Sequence, residues 1–250
     1  MDARIQQSVV VNLSRRPAPV EVGPFVIGLD PATPSPYVNY ATPRPGTVVT
    51  SADVTALVAA FRAADRRPRL EYVTSCAPAL EALLTAAGFT VEARHTYLVC
   101  VPGTLASPPV PEHLSLREPA ADAQRAALIS AQNEAFGGDP VASTADVARV
   151  RRQQDAGGVV VMAVSDDGTC AGGGGAAAPA DAVSEVAGVA VRAPYRRRGL
   201  ASAITADVTR RLFDAGTKVA WLEAGGEDSW RVYQRVGYRP GGQRLYIAMN

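Results

Sequence analysis

The sequence predicts a mixed α/β fold arranged as two tandem domains of one type, and three observations carry that prediction. Short apolar runs of strand character alternate with amphipathic stretches of helical spacing along most of the 250 residues. A Pro-rich segment at residues 103–112 (Gly-Thr-Leu-Ala-Ser-Pro-Pro-Val-Pro-Glu) continues neither neighbour and reads as a linker. The two halves also end alike. Leu70-Glu71, a helix, Ala87-Gly88-Phe89 and a strand at 96–101 are echoed by Leu222-Glu223, a helix, Val236-Gly237-Tyr238 and a strand at 245–249. The expected domains are therefore residues 1–102 and 113–250.

In the first domain, Pro31, Pro34, Pro36, Pro43 and Pro45 break up apolar runs such as Phe25-Val26-Ile27, so the first fifty residues are expected to hold short edge strands and loops. Ser51-Ala52-Asp53 offers a cap for a helix to about Ala64, in which Val54, Leu57, Val58 and Phe61 share a face. Leu70 to Val73 reads as a strand, Pro78 to Ala87 as a helix stopped by Gly88, and Thr96 to Val101 as a strand. In the second domain the expected order is a strand at Leu114–Arg117, a helix at Ala121–Ala135 and a polar helix at Thr144–Gln154. An apolar strand at Val159–Val164 then turns at Asp166-Asp167-Gly168 into a small-residue strand at Thr169–Ala178. Gly172 to Gly175 within it point to close backbone approach, a bulge or a flexible hairpin. A strand at Ser184–Val191, a helix at Gly199–Ala215, a strand at Val219–Glu223, a helix at Asp228–Val236 and a strand at Leu245–Met249 complete the chain.

Composition narrows the function classes. An apolar fraction of 47% and a charged fraction of 20% are those of a folded globular protein. The net charge of +1 supplies no overall field for a nucleic acid or an anionic membrane, so neither is expected as a partner and any anion must be recognised locally. No uninterrupted apolar run approaches the ~18 residues of a spanning helix, and the first residues lack a signal-peptide pattern, which makes a cytoplasmic protein the expectation. Cys76, Cys100 and Cys170 are scattered and lack CxxC spacing, so they read as core residues and no metal is expected. Lys218 is the sole lysine beside 24 arginines, a bias that fits GC-rich coding better than a binding role.

The most informative segment is Glu185-Val-Ala-Gly-Val-Ala-Val191-Arg-Ala-Pro194-Tyr195-Arg196-Arg197-Arg198-Gly199-Leu200-Ala201. A strand runs into a basic turn that opens a helix whose Leu200, Ile204, Val208 and Leu212 form one apolar stripe. The first turn of such a helix presents unpaired N–H groups and the positive end of its dipole, a place where a pyrophosphate can dock. Gly199 lets the backbone approach, and Ala201 keeps the turn uncrowded. A P-loop is excluded because no Gly-Lys-Ser/Thr follows, and no Gly-x-Gly-x-x-Gly follows a strand. No Gly-x-Ser-x-Gly supports a serine nucleophile, and His95 and His113 stand outside every cluster.

This segment resembles the acyl-CoA-binding motif of the GNAT N-acetyltransferase superfamily, Arg/Gln-x-x-Gly-x-Gly/Ala, with Arg196, Gly199 and Ala201 at its three defined positions. Val232-Tyr233-Gln234-Arg235-Val236-Gly237-Tyr238 is similar to the family's Leu-Tyr-x-x-x-Gly-Phe, and the resemblance covers about residues 114–250. It implies two GNAT-like domains, each a mostly antiparallel mixed sheet flanked by helices, the first a degenerate copy without the motif. It also implies acetyl-CoA as co-substrate, bound by Val189, Ala190, Val191, Arg196, Arg197, Arg198, Gly199, Leu200, Ala201 and Ser202. Strand alternation puts Glu185, Ala187, Val189 and Val191 on one face, and the resemblance implies Glu185 as the general base and Tyr233 as the acid that protonates the leaving thiolate. Trp230 reads as packing. Gly226 stands where the family commonly has an Asn, seven residues before the Tyr.

The expected function is transfer of an acetyl group to a primary amine of a small molecule or peptide, with the homodimer left open as an assembly. Two alternatives stand beside it: a non-catalytic acyl-CoA-binding or regulatory module, and a nucleic-acid binder using the arginine triplet. Near-zero net charge speaks against the latter.

Overall fold

The computed structural model describes residues 1–249, and at Glu227 and Asp228 the backbone alone. The chain forms two compact units, Met1–Tyr97 with the chain from Gly241 onward, and Leu98–Pro240. The elements of the first are α1 (Asp2–Ser14), β1 (Val20–Val22), β2 (Phe25–Gly28), β3 (Tyr40–Pro43), α2 (Ser51–Ala63), β4 (Arg69–Val73), α3 (Leu80–Ala86) and most of β5 (Thr90–Cys100). The second holds β6 (Leu114–Arg117), α4 (Asp122–Ala135), α5 (Thr144–Asp155), β7 (Val159–Ser165), β8 (Cys170–Ala176), β9 (Val183–Val191), α6 (Leu200–Asp214), β10 (Val219–Glu223) and α7 (Glu227–Val236). The last strand, β11 (Arg239–Ala248), begins in the second unit and lies mostly in the first.

The first unit orders its strands β1-β2-β3-β4-β11-β5. One face buries Phe25, Ile27, Leu70, Tyr72, Leu245 and Ile247 against the Val54, Leu57 and Phe61 stripe of α2 and against Leu80 and Leu84 of α3. Each large side chain so buried contributes about 1.5–3 kcal/mol. On the other face lies α1, which the sequence reading missed in expecting only strands and loops over the first fifty residues. Its Val9-Val10-Val11 favours a strand locally. Ile5, Val9 and Leu13, one turn apart, are nonetheless buried as a helical stripe, and tertiary packing outweighs the local preference.

The sequence places 245–249 in the second domain, whereas the structure puts it in the first unit, and both faces of β11 explain why. Leu245 and Ile247 join the apolar core. Arg244 lies opposite Val73 and Tyr246 opposite Glu71 in the antiparallel ladder with β4. There Arg244 Nη2 reaches Glu71 Oε2 at 3.3 Å, Arg69 pairs with Glu71 and, at 2.7 Å, with Glu92, and the Tyr246 ring lies 4.9 Å from the Arg69 guanidinium. Buried charges need such partners, and β11 supplies them.

The second unit orders its strands β10-β9-β8-β7-β6, antiparallel except for the parallel β9–β10 pair. Val161, Ala163, Val186 and Val191 face α6, whose Leu200, Ile204, Val208 and Leu212 complete the main core. Val160, Met162 and Val164 face Leu128 and Ala131 of α4. Gly173 and Gly174 of β8 let both helices come close, whereas a Cβ at Gly172 or Gly175 would meet the backbone of β9 or β7. A Cβ at Gly173 would lie 2.3 Å from Leu128, and one at Gly174 would lie 3.2 Å from Ile204. They serve helix–sheet packing and not a flexible hairpin. Cys100 and Cys170 are buried and Cys76 is half-buried, all as free thiols. Among the described residues no helix is long and apolar enough to cross a membrane.

Candidate active site

Strand β9 forms the floor of the site. It pairs with β10 in parallel at Val183–Glu185 with Val219–Trp221, and the two strands then part. Glu185, opposite Trp221, is the last residue before the fork, and it is half-buried. Beyond it Ala187 and Gly188 are exposed within the strand.

The pairing of β9 with β8 shifts between Gly173 and Gly175, which oppose Ala190 and Ala187, so β9 carries one extra residue there. Gly188 takes φ of +66° in this bulge, a left-handed conformation that L side chains rarely adopt. The bulge overturns the strict alternation expected from the sequence. Glu185 shares its face with Ala187 and Ala190, toward α4, while Val186 and Val191 face α6. Val189 packs on the α6 side as well, so Glu185 does not share a face with the two valines.

Backbone direction follows from the same ladder. Arg192 N donates to Ala171 O at 2.9 Å, and Ala190 pairs with Gly173, so both turn their backbone groups toward β8. Val189 and Val191 therefore direct theirs the other way, to the edge where β9 parts from β10. At that edge Val191 O is already occupied, accepting from Arg196 Nε at 2.9 Å.

The turn after β9 is held from α4. Arg196 Nη2 donates to Ala135 O at 3.0 Å, and Arg192 pairs with Glu134 at 2.9 Å. The Arg196 guanidinium is thus engaged within the protein, where the resemblance places it on the co-substrate. Arg197 and Arg198 are exposed, and among the described residues they make no ion pair. Arg197 has φ of +65° and Gly199 +86°, and these left-handed residues turn the chain sharply into α6.

Helix α6 begins without a side-chain cap or an acid in its first turn. Its first intrahelical bond runs from Ala203 N to Gly199 O, so the N–H groups of Leu200, Ala201 and Ser202 precede the hydrogen-bonded ladder. A Cβ built on Gly199 meets nothing within 4 Å, so the approach to these groups is open. Leu200 is anchored in the core, Ser202 is buried and Ala201 half-buried. The geometry is that of an anion site at a helix N-terminus.

Helix α7 follows Gly226, and its Trp230 and Tyr233 pack against the main core. The Tyr233 ring meets Tyr238 edge-on at 6.3 Å, and no described residue hydrogen-bonds its hydroxyl. Burial pushes the Tyr233 phenol above its ordinary value, so it is held in the proton-bearing form. His95 stacks edge-on with Tyr246 in the first unit, and His113 pairs with Asp166 on an exposed turn, so neither joins this site.

The sequence places a helix at 121–135 but gives none of its residues a part in the site, whereas α4 braces it from one side. Gln132 Nε2 donates to Gly188 O at 2.7 Å, and Glu134 and Ala135 anchor the turn. No motif marks these residues, and the one available signal was Gly188 itself, since a glycine inside a strand pattern often marks a bulge.

The model of the acetyltransferase (GNAT) family matches residues 126–238, the span that contains the bulge, the turn, α6 and Tyr233. Residues 126–238 belong to the GNAT family. The GNAT unit is accordingly an acyltransferase. Among solved structures, a GCN5-related N-acetyltransferase from Kribbella flavida is 29% identical with a TM-score of 0.81, covering 100% of this chain and 95% of its own. One from Sphaerobacter thermophilus is 17% identical with a TM-score of 0.64, covering 92% and 81%. A tandem GNAT protein from the clavulanic acid biosynthesis pathway is 14% identical with a TM-score of 0.63, covering 90% and 77%. The last two share the fold, and all three similarities extend across both units. No protein of curated function matches the chain in sequence.

Proposed function

We propose that the GNAT unit is an acetyl-CoA-dependent N-acetyltransferase that acts on a primary amine of a small molecule or peptide by direct transfer. The observation that carries this reading is the open, uncapped start of α6, joined by one arginine-rich turn to the strand that parts from its neighbour. Acetyl-CoA would supply an acyl thioester: the amine nitrogen bonds to the carbonyl carbon, the carbon–sulfur bond breaks, and one proton passes from nitrogen and one to sulfur.

The chain's own groups fit these demands. The N–H groups of Leu200, Ala201 and Ser202 with the exposed Arg197 and Arg198 would hold the pyrophosphate. The backbone of Val189, Ala190 and Val191 would flank the pantetheine arm, with Val189 N–H donating to the carbonyl oxygen. Glu185, at the fork, would accept the proton of the amine, and Tyr233 would donate one to the leaving sulfur. Arg196 supports this arrangement by bracing the turn. The net charge of +1 favours a small or peptidic acceptor over nucleic acid or an anionic membrane. We further propose that the first unit is a degenerate copy that supplies no second site.

Calorimetry with acetyl-CoA, followed by a screen of amines and peptides that reads released thiol, tests the reading. Saturable binding and amine-dependent thiol release are expected. Absence of acetyl-CoA binding at millimolar ligand would overturn it.

A further inference from the structure

We infer that Gln132 is a positioning residue that aims the Val189 N–H into the fork by holding the far side of the same peptide unit. This inference rests on the acyl-CoA reading of the site. The C=O of Gly188 and the N–H of Val189 belong to one planar trans peptide, so they point in opposite directions. Gln132 Nε2 holds that C=O from α4 at 2.7 Å, which fixes the plane and directs the N–H away from α4. The ladder separately turns the Val189 N–H from β8 toward the edge where β9 leaves β10.

Three further observations favour a positioning role over incidental contact. The bulge interrupts the β8–β9 ladder, so at this peptide a side chain supplies the restraint that a neighbouring strand would otherwise give. The residue carrying the carbonyl is glycine in a left-handed conformation, and a Cβ there would lie 2.9 Å from Gln132 Nε2, so the glycine also makes room for the amide. Gln132 extends from the turn of α4 that also carries Glu134 and Ala135, partners of Arg192 and Arg196, so one helix end braces both the bulge and the turn into α6. A hydrogen bond at the carbonyl also polarises the peptide, making its N–H a stronger donor.

Gln132→Met keeps length and removes the donor, and Gln132→Glu places an acceptor against the Gly188 carbonyl. The reading is the infrared carbonyl band of acetyl-CoA, isotopically labelled at the acetyl carbonyl, free and bound to the full-length protein. In the wild type the band is expected to move to lower frequency on binding. In Gln132→Met at least half of that shift is expected to be lost while the acetyl-CoA Kd stays within about twofold. With a verified amine, kcat is expected to fall about tenfold, less than the loss from deleting an oxyanion donor outright. An equal shift in wild type and variant, or an unshifted band in the bound wild type, overturns the inference and leaves the acyl-CoA reading standing. Absence of wild-type binding overturns that reading and this inference with it. Should Gln132→Met fold poorly, Gln132→Glu decides by the same criterion.

Discussion

Each unit contains a strand that pairs briefly with a parallel neighbour, parts from it and leads to a helix, yet the two partings are finished in opposite ways. In the first unit β3 and β4 pair in parallel at Ala41 and Leu70, and the gap beside them is filled. Gln6 of α1, fully buried, donates to Thr42 Oγ1 at 2.7 Å and Pro43 O at 2.6 Å and accepts from Val73 N at 2.8 Å. The helix that follows, α2, is closed by a capping box in which Thr50 and Asp53 satisfy each other's backbone N–H groups. In the second unit β9 leaves β10 beyond Glu185, and α6 starts on an uncapped glycine with no acid nearby. The same local topology thus yields either a sealed joint or an open one, according to whether the backbone donors at the parting and the helix end are already spent inside the chain.

Catalytic variants give the largest expected effects, and all belong to the second unit. Glu185→Gln is expected to lower kcat by about 10²–10⁴-fold, as loss of a general base typically does, and to abolish the rise in rate with pH that a titrating base imposes. Tyr233→Phe is expected to lower kcat without weakening acetyl-CoA binding, because the ring keeps its packing. Since burial raises the phenol above its ordinary 10.0, the donor form persists through neutral pH, and the wild-type rate should show no alkaline fall below that value. Wild-type rates in both variants, measured at saturating acetyl-CoA, would remove these two residues from the mechanism.

Sealing of the first unit is tested next. Gln6→Ala leaves buried groups of Val73 and Pro43 without partners and is expected to destabilise the protein by about 2–4 kcal/mol in denaturant unfolding. It should create no second acetyl-CoA site, since the α2 cap stays in place.

Two glycines give smaller and contrasting effects. Gly46 and Gly199 both have positive φ, +75° and +86°, in the turns before α2 and α6. Forcing a side chain into that conformation costs about 1–2 kcal/mol at either position. Gly199→Val is also expected to weaken acetyl-CoA binding by about tenfold or more, equivalent to about 1.4 kcal/mol, whereas Gly46→Ala leaves binding unchanged. Equal affinities in the two variants would show that the α6 start is not special.

The smallest effect concerns the cap. Thr50→Ala should cost about 1 kcal/mol. The Asp53 carboxyl is held below its ordinary value by hydrogen bonds from the Thr50 hydroxyl and N–H, so its contribution is present above the unfolded pKa and lost as pH falls through the folded one. The stability difference between wild type and Thr50→Ala should therefore narrow in acid.

Local pattern revealed much of this architecture. The apolar runs at Val159–Ser165 and Val219–Glu223 and the stripe of Leu200, Ile204, Val208 and Leu212 are readable because spacing and burial agree along a single segment. Helix α1 was hidden because Val9-Val10-Val11 prefers a strand until Ile5, Val9 and Leu13 find a sheet to cover. The home of β11 was hidden because its partners, Glu71 and the core of Leu70 and Tyr72, lie far away in sequence. At the site, the turn from Arg196 to Ala201 was legible as a motif. The face of Glu185 was not, since one extra residue near Gly188 reverses every orientation inferred across it. Gln132 was invisible because a side chain that holds a backbone carbonyl 56 positions away leaves no local signature.

Amide hydrogen exchange of the full-length protein with and without acetyl-CoA tests the central contrast most directly. The open unit should be protected at 187–191 and at 197–203, while exchange at 44–53, before and into α2, stays as it was. Protection centred on the start of α2, or binding that leaves 197–203 unprotected, would contradict the assignment of an open site to one unit and a sealed joint to the other.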